Sequence, residues 1–274
     1  MKHEWRTSLQ ELIWIITKIN IQTDNMGLFG SLYKKKEPVL EPVDLSILQV
    51  DIHSHFIPGI DDGAKTIEDS MELISAMKDF GYRKVITTPH IMSDYYRNTP
   101  DIILKGLEKV RAALKENNID IEVDAAAEYN IDADFPEKIE KRELLTFGDN
   151  YVLFELPFME EPGVLKDVVW QLQSAGYKPV LAHVERYQFW HQQWDKFEDM
   201  INRGVLLQMN IGSLTGSYGP EVKQIAEKLI DNDMISLLGS DCHHMGHVEM
   251  IDSARTKAYL HKLVNNPRLL NKQL

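Results

Sequence analysis

The sequence contains a single cysteine, Cys242, among its 274 residues. No disulfide can form within such a chain, and a structural zinc site built from several thiolates is excluded. Disulfides are rare in the reducing cytoplasm, so this composition predicts a cytoplasmic protein.

Long hydrophobic runs are also missing. The apolar run that starts at Leu12 extends only to Ile21 and is interrupted by Lys18 and Asn20, so it is too short for a transmembrane helix. No small-residue cleavage site follows it, which argues against a signal peptide. We therefore expect no stable insertion into a membrane.

Positive charge is scarce, with 30 Lys and Arg against 42 Asp and Glu and a formal net charge of −12. Nucleic-acid-binding proteins need a basic surface, so nucleic acid is not expected to be a partner. An anionic substrate would have to be attracted locally, and bound metal ions are the simplest source of that attraction.

Residues 1–45 differ from the rest of the chain. A short amphipathic helix is predicted for residues 9–21, and the lysines and prolines between residues 34 and 42 are typical of a linker. Met26 is an alternative start, which would expose a glycine in a myristoylation pattern. We divide the chain into this extension and a domain at residues 46–274.

Short apolar runs alternate with amphipathic stretches from residue 47 onwards. The runs are nearly continuous in apolar residues, as in strands that are covered on both faces. Strands are predicted at residues 47–52, 84–88, 121–127, 151–156, 179–182, 206–209 and 235–239. Helices are predicted at residues 66–80, 99–117, 135–142, 164–175, 194–202, 220–231 and 249–263. This alternation predicts a parallel β/α architecture.

Side chains of the types that bind metals lie at or near the carboxyl ends of six of the seven predicted strands. They are His53, His55, His90, Glu128, Glu155, His183, Asp241 and His243. In parallel β/α barrels these ends form one rim, where active sites are built. A single such histidine would more often be a core or surface residue. Repetition across six strands indicates one shared site.

The residue types at this predicted site suit zinc, manganese, iron or cobalt, because neutral imidazoles and carboxylates both bind these ions. Carboxylates can also bridge two metal ions about 3.5–4 Å apart, an arrangement that stabilises the attacking and leaving oxygens of phosphoryl displacement. The sequence therefore predicts a metal centre, and phosphoryl displacement is a reaction that such a centre can support.

Several segments between residues 48 and 250 carry a family resemblance. The longest are DIHSHFIPGIDDG at residues 51–63 and GYKPVLAHVERY at residues 176–187, and shorter ones lie at 87–90, 128, 154–158, 212–216 and 240–243. Together they resemble the PHP (polymerase and histidinol phosphatase) superfamily. They are most similar to bacterial tyrosine-protein phosphatases of the capsular-polysaccharide, CpsB/CapC type. The resemblance implies an α/β fold, a distorted (β/α)7 barrel with a short N-terminal extension.

The resemblance also implies three divalent metal ions, with manganese favoured and iron, zinc or cobalt as alternatives. The implied ligand sets are His53, His55, Glu128 and Asp241 for one ion, Glu128, His183 and Glu155 for a second, and Asp62, His90 and His243 for a third. Glu155 could instead orient a ligand, as carboxylates beside metal sites often do. Asp61 competes with Asp62, and spacing alone does not decide between them.

Arg186 matches the family's phosphate-contacting arginine and is predicted to bind substrate and assist catalysis. A guanidinium can bind two phosphate oxygens at once, although a surface ion pair is the alternative. The chain departs from the family at Val184, where proline is usual, and it lacks an arginine about five residues after His243. His244 or His247 could replace that donor, and we predict His247 as a substrate-binding residue.

The resemblance implies hydrolysis of phosphotyrosine on a bacterial tyrosine kinase that controls capsular or exopolysaccharide synthesis. The sequence leaves open whether the protein forms a homo-oligomer. Three alternatives remain. One is a phosphatase for a small monoester such as histidinol phosphate, and another is a non-catalytic metal-binding regulatory barrel. The third is a nuclease, which the excess of acidic residues disfavours. A cysteine-based phosphatase is excluded, because it needs an arginine six residues after Cys242 and position 248 is valine. Cys242 is instead predicted to be a small buried residue.

Overall fold

Residues 39–274 are described by the structure, which is a computed structural model. The predicted helix at residues 9–21, the alternative start at Met26 and the lysines of the predicted linker lie outside the described residues. Within residues 39–274, no helix is long and apolar enough to span a membrane.

The first two helices begin where the sequence supplies caps. Thr66 and Asp69 form a capping box, in which each side chain accepts a hydrogen bond from the other residue's backbone N–H. Thr99 caps the next helix, whose first residue is Pro100. The first six helices are α1 (Ile67–Asp79), α2 (Pro100–Glu116), α3 (Phe135–Lys141), α4 (Leu165–Ser174), α5 (Trp194–Asn202) and α6 (Pro220–Asp231). Each lies within one residue of its predicted bounds.

The last predicted helix, residues 249–263, is wrong as a single element. It is two helices, α7 (Met245–Arg255) and α8 (Ala258–Val264). Helix α7 starts earlier than predicted because His244 Nδ1 accepts a hydrogen bond from the Gly246 N–H and caps the helix. The break follows from long-range pairing, since Leu40 N–H donates to the Thr256 carbonyl at 3.1 Å and Val43 N–H donates to the Arg255 carbonyl at 3.0 Å.

Every strand pair in the described residues is parallel. The strands are β1 (Val50–Asp51), β2 (Lys84–Thr87), β3 (His90–Ile91), β4 (Glu122–Ala125), β5 (Glu128–Asn130), β6 (Tyr151–Glu155), β7 (Lys178–Leu181), β8 (Leu206–Asn210) and β9 (Leu237–Gly239). One sheet has the order β1-β2-β4, and the other has the order β3-β5-β6-β7-β8-β9. Short breaks separate β2 from β3 and β4 from β5, so each pair continues one strand path.

Two departures from the predicted strands have local reasons. The second strand path continues beyond its predicted end at residue 88, because β3 resumes it after Pro89, which has no backbone N–H to donate. The first predicted strand is shorter than expected because Leu45–Ile47 forms a 3₁₀ turn capped by Asp44. Gln49 then takes a left-handed conformation with φ 64°, so the strand starts only at Val50.

The sheet curls until its first and last strand paths meet. Asp241 N–H donates to the His53 carbonyl at 2.7 Å, and His55 N–H donates to the Cys242 carbonyl at 3.0 Å. Ser54 and Cys242 form a parallel bridge at the same place. The result is an α/β fold whose curled parallel sheet brings the carboxyl ends of β1 and β9 together.

The two faces of the sheet bury different cores. The larger apolar core includes strand residues such as Val152 and Phe154 together with apolar side chains of the helices. The other face contributes a separate cluster that includes Val50, Ile86 and Leu153. Side chains alternate along a strand, so Glu155 points to the same face as Leu153. The ligand-type residues therefore extend this inner cluster towards the carboxyl ends of the strands.

Candidate metal centre at the carboxyl ends of the strands

Glu128, at the start of β5, lies at the centre of the predicted ligands and is fully buried. Its Oε1 lies 3.0 Å from His183 Nε2. Its Oε2 lies 3.2 Å from His53 Nε2, 3.1 Å from His90 Nδ1 and 3.5 Å from His55 Nε2. Histidines from three separate strand ends thus converge on a carboxylate that belongs to a fourth strand.

The converging side chains form three overlapping groups. Within each group, the nitrogen and oxygen atoms that could bind a metal lie within 4.8 Å of one another. The groups are His55, Asp62, His90 and His243; His53, His55 and Asp241; and His90, Glu128 and Glu155. Glu155 also lies 3.6 Å from His183 Nε2. All nine ligand positions named from the sequence are therefore close to one another.

Two of the histidines are oriented from behind by polar partners. His53 Nδ1 lies 3.1 Å from Gln208 Oε1, an oxygen that already accepts the His183 N–H at 2.8 Å. His55 Nδ1 lies 2.8 Å from Asp61 Oδ2. Because each acceptor requires a proton on Nδ1, the neutral form of each ring has its lone pair on Nε2, the nitrogen that faces Glu128. This arrangement is typical of metal-binding histidines.

The carboxylates of Asp61 and Asp62 have different positions relative to the imidazoles. Asp61 is buried behind His55 and also accepts the backbone N–H groups of Gly63 and His90. Asp62 Oδ1 lies 3.5 Å from both His90 Nε2 and His243 Nε2. Asp62 therefore stands where a ligand would, and Asp61 stands where it orients one.

Replacing Asp61 with asparagine is expected to lower metal affinity about 10–100-fold, the usual effect of losing a group that orients a metal-binding histidine. The neutral amide would hold the His55 tautomer less firmly. Metal titration of the purified variant measures the change, with the exposed Asp120→Asn as the matched control. An unchanged affinity in Asp61→Asn would show that His55 needs no such support.

Several buried atoms of the cluster have no hydrogen-bond partner among the described residues. They are His53 Nε2, His55 Nε2, His90 Nδ1, Glu128 Oε2 and Glu155 Oε1. A buried polar atom without a partner costs free energy, and a group of such atoms facing one another would be costly. A divalent cation coordinated by imidazole nitrogens and carboxylate oxygens satisfies them all, so the residues fit a metal centre.

The charge of the cluster leads to the same conclusion. Burial acts to lower the pKa of His90, but the carboxylates of Glu128 and Glu155 outweigh it and raise this pKa to about 9. Asp62 and Asp241 add further negative charge around the same imidazoles. These carboxylates favour positive charge at the cluster, which bound cations would supply.

The backbone at the site adopts conformations that are unfavourable for side-chain-bearing residues. His183 has φ 31° and Asp241 has φ 49°, both in the left-handed region. Such strain is found mainly at functional sites, where the surrounding structure maintains it. The backbone of Gly239 lies close to the side chain of His53. Glycine is needed at position 239, because a Cβ there would lie 2.6 Å from the His53 Cβ.

Arg186 lines a cavity of about 260 Å³ beside the cluster, together with Phe158, Tyr218 and His247. Its Nη1 donates to Asp241 Oδ2 at 3.0 Å. Its guanidinium carbon lies 4.8 Å from the centre of the Phe158 ring and 4.7 Å from the centre of the Tyr218 ring. Arg186 therefore forms an ion pair and also faces the cavity, and its role in phosphate binding stays a prediction.

The two histidines that follow His243 also line this cavity. His247 Nδ1 lies 3.1 Å from the His243 backbone nitrogen and 3.0 Å from the Asp241 carbonyl oxygen, so it accepts from the first or donates to the second. His244 Nδ1 accepts the Gly246 N–H. Burial lowers the pKa of His247 to about 4, so this ring is neutral. A neutral imidazole carries one N–H, so His247 has one hydrogen bond to donate.

Cys242 is fully buried beside these residues, as predicted. Burial raises the pKa of its thiol far above the ordinary value, and the carboxylates of Asp51 and Asp241 add to the effect. A thiolate nucleophile is therefore strongly disfavoured at this position.

Some residues that hold the clustered side chains in place were not predicted from the sequence. Asn210 Nδ2 donates to Asp241 Oδ2 at 2.7 Å, and Gln208 holds His53 and His183. Both lie on β8, the one predicted strand to which no site residue was assigned. Two polar side chains spaced by two in an otherwise apolar strand were the available signal, because that spacing places them on one face. No comparable signal in the sequence marks Tyr218.

Comparison with known proteins agrees with this geometry. The sequence profile of the family described as "Capsular polysaccharide synthesis, CpsB/CapC" matches residues 49–265. The chain belongs to the CpsB/CapC family. Among its relatives is the tyrosine-protein phosphatase YwqE of Bacillus subtilis, which is 31% identical over 197 residues, or 72% of this chain and 78% of YwqE. The tyrosine-protein phosphatase CpsB of Streptococcus pneumoniae is 27% identical over 72% of this chain and 83% of its own length.

A solved structure of the CpsB/CapC family has the same fold. It comes from crystal structures of YwqE and CpsB, described as metal-dependent tyrosine phosphatases, with a TM-score of 0.71 and 28% identity. The match covers 82% of this chain and 90% of that one. The family match spans every ligand-type residue of the cluster, from His53 to His243.

Proposed function

We propose that this chain is a metal-dependent protein-tyrosine phosphatase that acts in the control of capsular or exopolysaccharide synthesis. The observation that carries the proposal is the set of imidazoles around the buried Glu128 carboxylate, beside a cavity lined by Arg186. Its CpsB/CapC relatives are tyrosine-protein phosphatases, which supports the choice of phosphotyrosine as substrate.

The ligands of the proposed centre are His53, His55, Asp62, His90, Glu128, Glu155, His183, Asp241 and His243. We propose three divalent ions, with manganese favoured over iron, zinc or cobalt, and the overlap of the groups at His55 and His90 supports more than one ion. Bound divalent cations supply the Lewis-acid charge that activates water and neutralises phosphoryl oxygens.

The protein's own residues bind and orient the phosphate. Arg186 is held by Asp241 and by two aromatic rings, so its guanidinium needs little ordering before it binds phosphate oxygens. His244 and His247 line the same cavity, and either side chain could donate to the phosphate in place of the missing family arginine. A tyrosine phenolate, with a pKa near 10, leaves with little help from a general acid.

The proposed partner and cellular location follow from the same function. We propose a bacterial tyrosine kinase as the phosphoprotein partner and the cytoplasm as the location, where a single buried thiol such as Cys242 stays reduced. We propose that the catalytic domain is a distorted (β/α)7 barrel at residues 46–274, preceded by an N-terminal extension. The seven strand paths of the curled sheet support this fold.

Parallel assays separate the candidate substrates. The purified protein, loaded with metal, is given a phosphotyrosine peptide, histidinol phosphate and single-stranded DNA in turn. We expect the peptide to be hydrolysed with a clearly higher kcat/KM than histidinol phosphate, and the DNA to remain intact. Preference for histidinol phosphate would reassign the substrate while retaining the metal centre.

A second experiment tests the alternative of a non-catalytic regulatory barrel. His53→Ala combined with His55→Ala is expected to abolish phosphatase activity while the circular dichroism spectrum stays that of a folded protein. The chain has a residue at every ligand position expected from the family, which already weighs against that alternative. Retention of the activity by the double variant would mean that these histidines do not support catalysis.

A further inference from the structure

Phe158 is an apolar ring in the wall of a cavity that is lined mainly by charged and imidazole side chains. It lies in the loop between β6 and α4, and 46% of its surface is exposed. Its ring stacks on the His183 ring, with centres 5.4 Å apart, and the Arg186 guanidinium lies over it. A phenylalanine that keeps this much exposed surface beside a polar site is available to an apolar part of a ligand.

The position of the Phe158 ring beside Arg186 determines which part of a ligand the ring can contact. Under the proposed function, Arg186 binds the phosphoryl oxygens, and its guanidinium carbon lies 4.8 Å from the centre of the Phe158 ring. The group esterified to that phosphate would then lie next to Phe158. Aromatic rings attract one another in offset or edge-to-face contacts at centre distances of about 4.5–7 Å.

Phe158 is not needed simply to keep Arg186 in place. Asp241 forms an ion pair with Arg186 at 3.0 Å, and the Tyr218 ring supports the guanidinium at 4.7 Å. Tyr218 is held on a different segment of the chain, between the 3₁₀ helix Ile211–Thr215 and α6. Removal of the Phe158 ring would therefore leave Arg186 with two of its three supports.

We propose that Phe158 recognises the aromatic ring of the substrate and so makes the site selective for aryl over alkyl phosphates. This inference rests on the proposed phosphatase function and deepens it, because it assigns the choice of substrate class to one residue. Phe158 acts as a specificity residue, whereas Tyr218 positions Arg186.

The test compares the binding of phenylphosphonate and methylphosphonate, which share the phosphonate group and differ in the ring. Isothermal titration calorimetry of the metal-loaded protein measures both without requiring turnover. The wild-type protein should bind phenylphosphonate more tightly. In Phe158→Leu, phenylphosphonate binding should weaken about 2–12-fold, the range expected for one aromatic contact, while methylphosphonate binding changes less than about twofold.

Two further variants complete the design. Phe158→Tyr keeps an aromatic ring and should retain the preference for phenylphosphonate. Trp170→Leu removes a ring that is 68% exposed on α4 and does not line the cavity, so it should bind both ligands like the wild-type protein. Loss of the preference in Phe158→Leu but not in Trp170→Leu would support the proposal.

The failures of the inference and of the proposed function are distinguishable. If Phe158→Leu weakens both phosphonates equally, Phe158 acts only through Arg186 and the inference is wrong. An unchanged preference in Phe158→Leu, in a protein that hydrolyses phosphotyrosine, also overturns it but leaves the proposed function intact. If the wild-type protein binds neither phosphonate and hydrolyses no phosphotyrosine, the proposed function fails and the inference fails with it.

Discussion

Glu128→Gln is expected to lower kcat/KM for a phosphotyrosine peptide about 10³-fold or more and to reduce the metal content of the purified protein. The glutamine has nearly the same shape but is uncharged, and the Glu128 carboxylate faces His53, His90 and His183 at 3.0–3.2 Å. Loss of a shared ligand removes several kcal/mol of charge stabilisation, and each 1.4 kcal/mol corresponds to about tenfold in rate.

The control for this variant is Glu108→Gln, which makes the same chemical change at an exposed position on α2. It should retain wild-type activity and metal content. Thermal unfolding shows whether Glu128→Gln still folds cooperatively, as expected for an isosteric change outside the apolar cores. A folded Glu128→Gln variant with wild-type turnover would remove Glu128 from the proposed centre.

Arg186→Ala is expected to lower kcat/KM about 10²–10³-fold, the usual cost of removing one preorganised donor to the charge that develops in a transition state. Arg186→Lys should recover only part of the loss, because an ammonium group cannot form the paired hydrogen bonds of a guanidinium. Steady-state kinetics with p-nitrophenyl phosphate and a phosphotyrosine peptide measure both effects.

Metal content separates a loss of phosphate binding from damage to the metal centre. Arg186 donates to Asp241, a proposed ligand, so the variant could also disturb the ions. We expect Arg186→Ala to keep nearly all of its metal, as should the exposed control Arg268→Ala. An activity loss below about threefold in metal-replete Arg186→Ala, against the 10²–10³-fold expected, would exclude the phosphate-binding role.

Most of the helix and strand order could be predicted from local signals. Thr66 and Thr99-Pro100 mark helix starts that depend only on neighbouring residues, and these bounds are correct within one residue. The break after α7 could not be predicted in this way. It depends on hydrogen bonds to Leu40 and Val43, more than 200 residues away in the sequence.

The convergence of the histidines could also be predicted, because parallel strands end at one rim. Which of Asp61 and Asp62 faces the imidazoles could not, since neighbouring residues in a loop have no fixed alternation of direction. The supporting contacts of Gln208 and Asn210 depend on register across three strands, which the sequence pattern does not reveal. The sequence thus indicated which residue types form the cluster, whereas only the structure shows how their side chains are oriented.

The central claim is that several divalent cations at the curled sheet's rim carry the phosphatase activity. The most direct measurement is elemental analysis of the purified protein alongside turnover of p-nitrophenyl phosphate and phosphotyrosine peptide, before and after chelation and after metal is added back. We predict bound transition-metal ions, loss of both activities on their removal, and recovery on reconstitution. Full activity in protein shown to be metal-free would contradict the account.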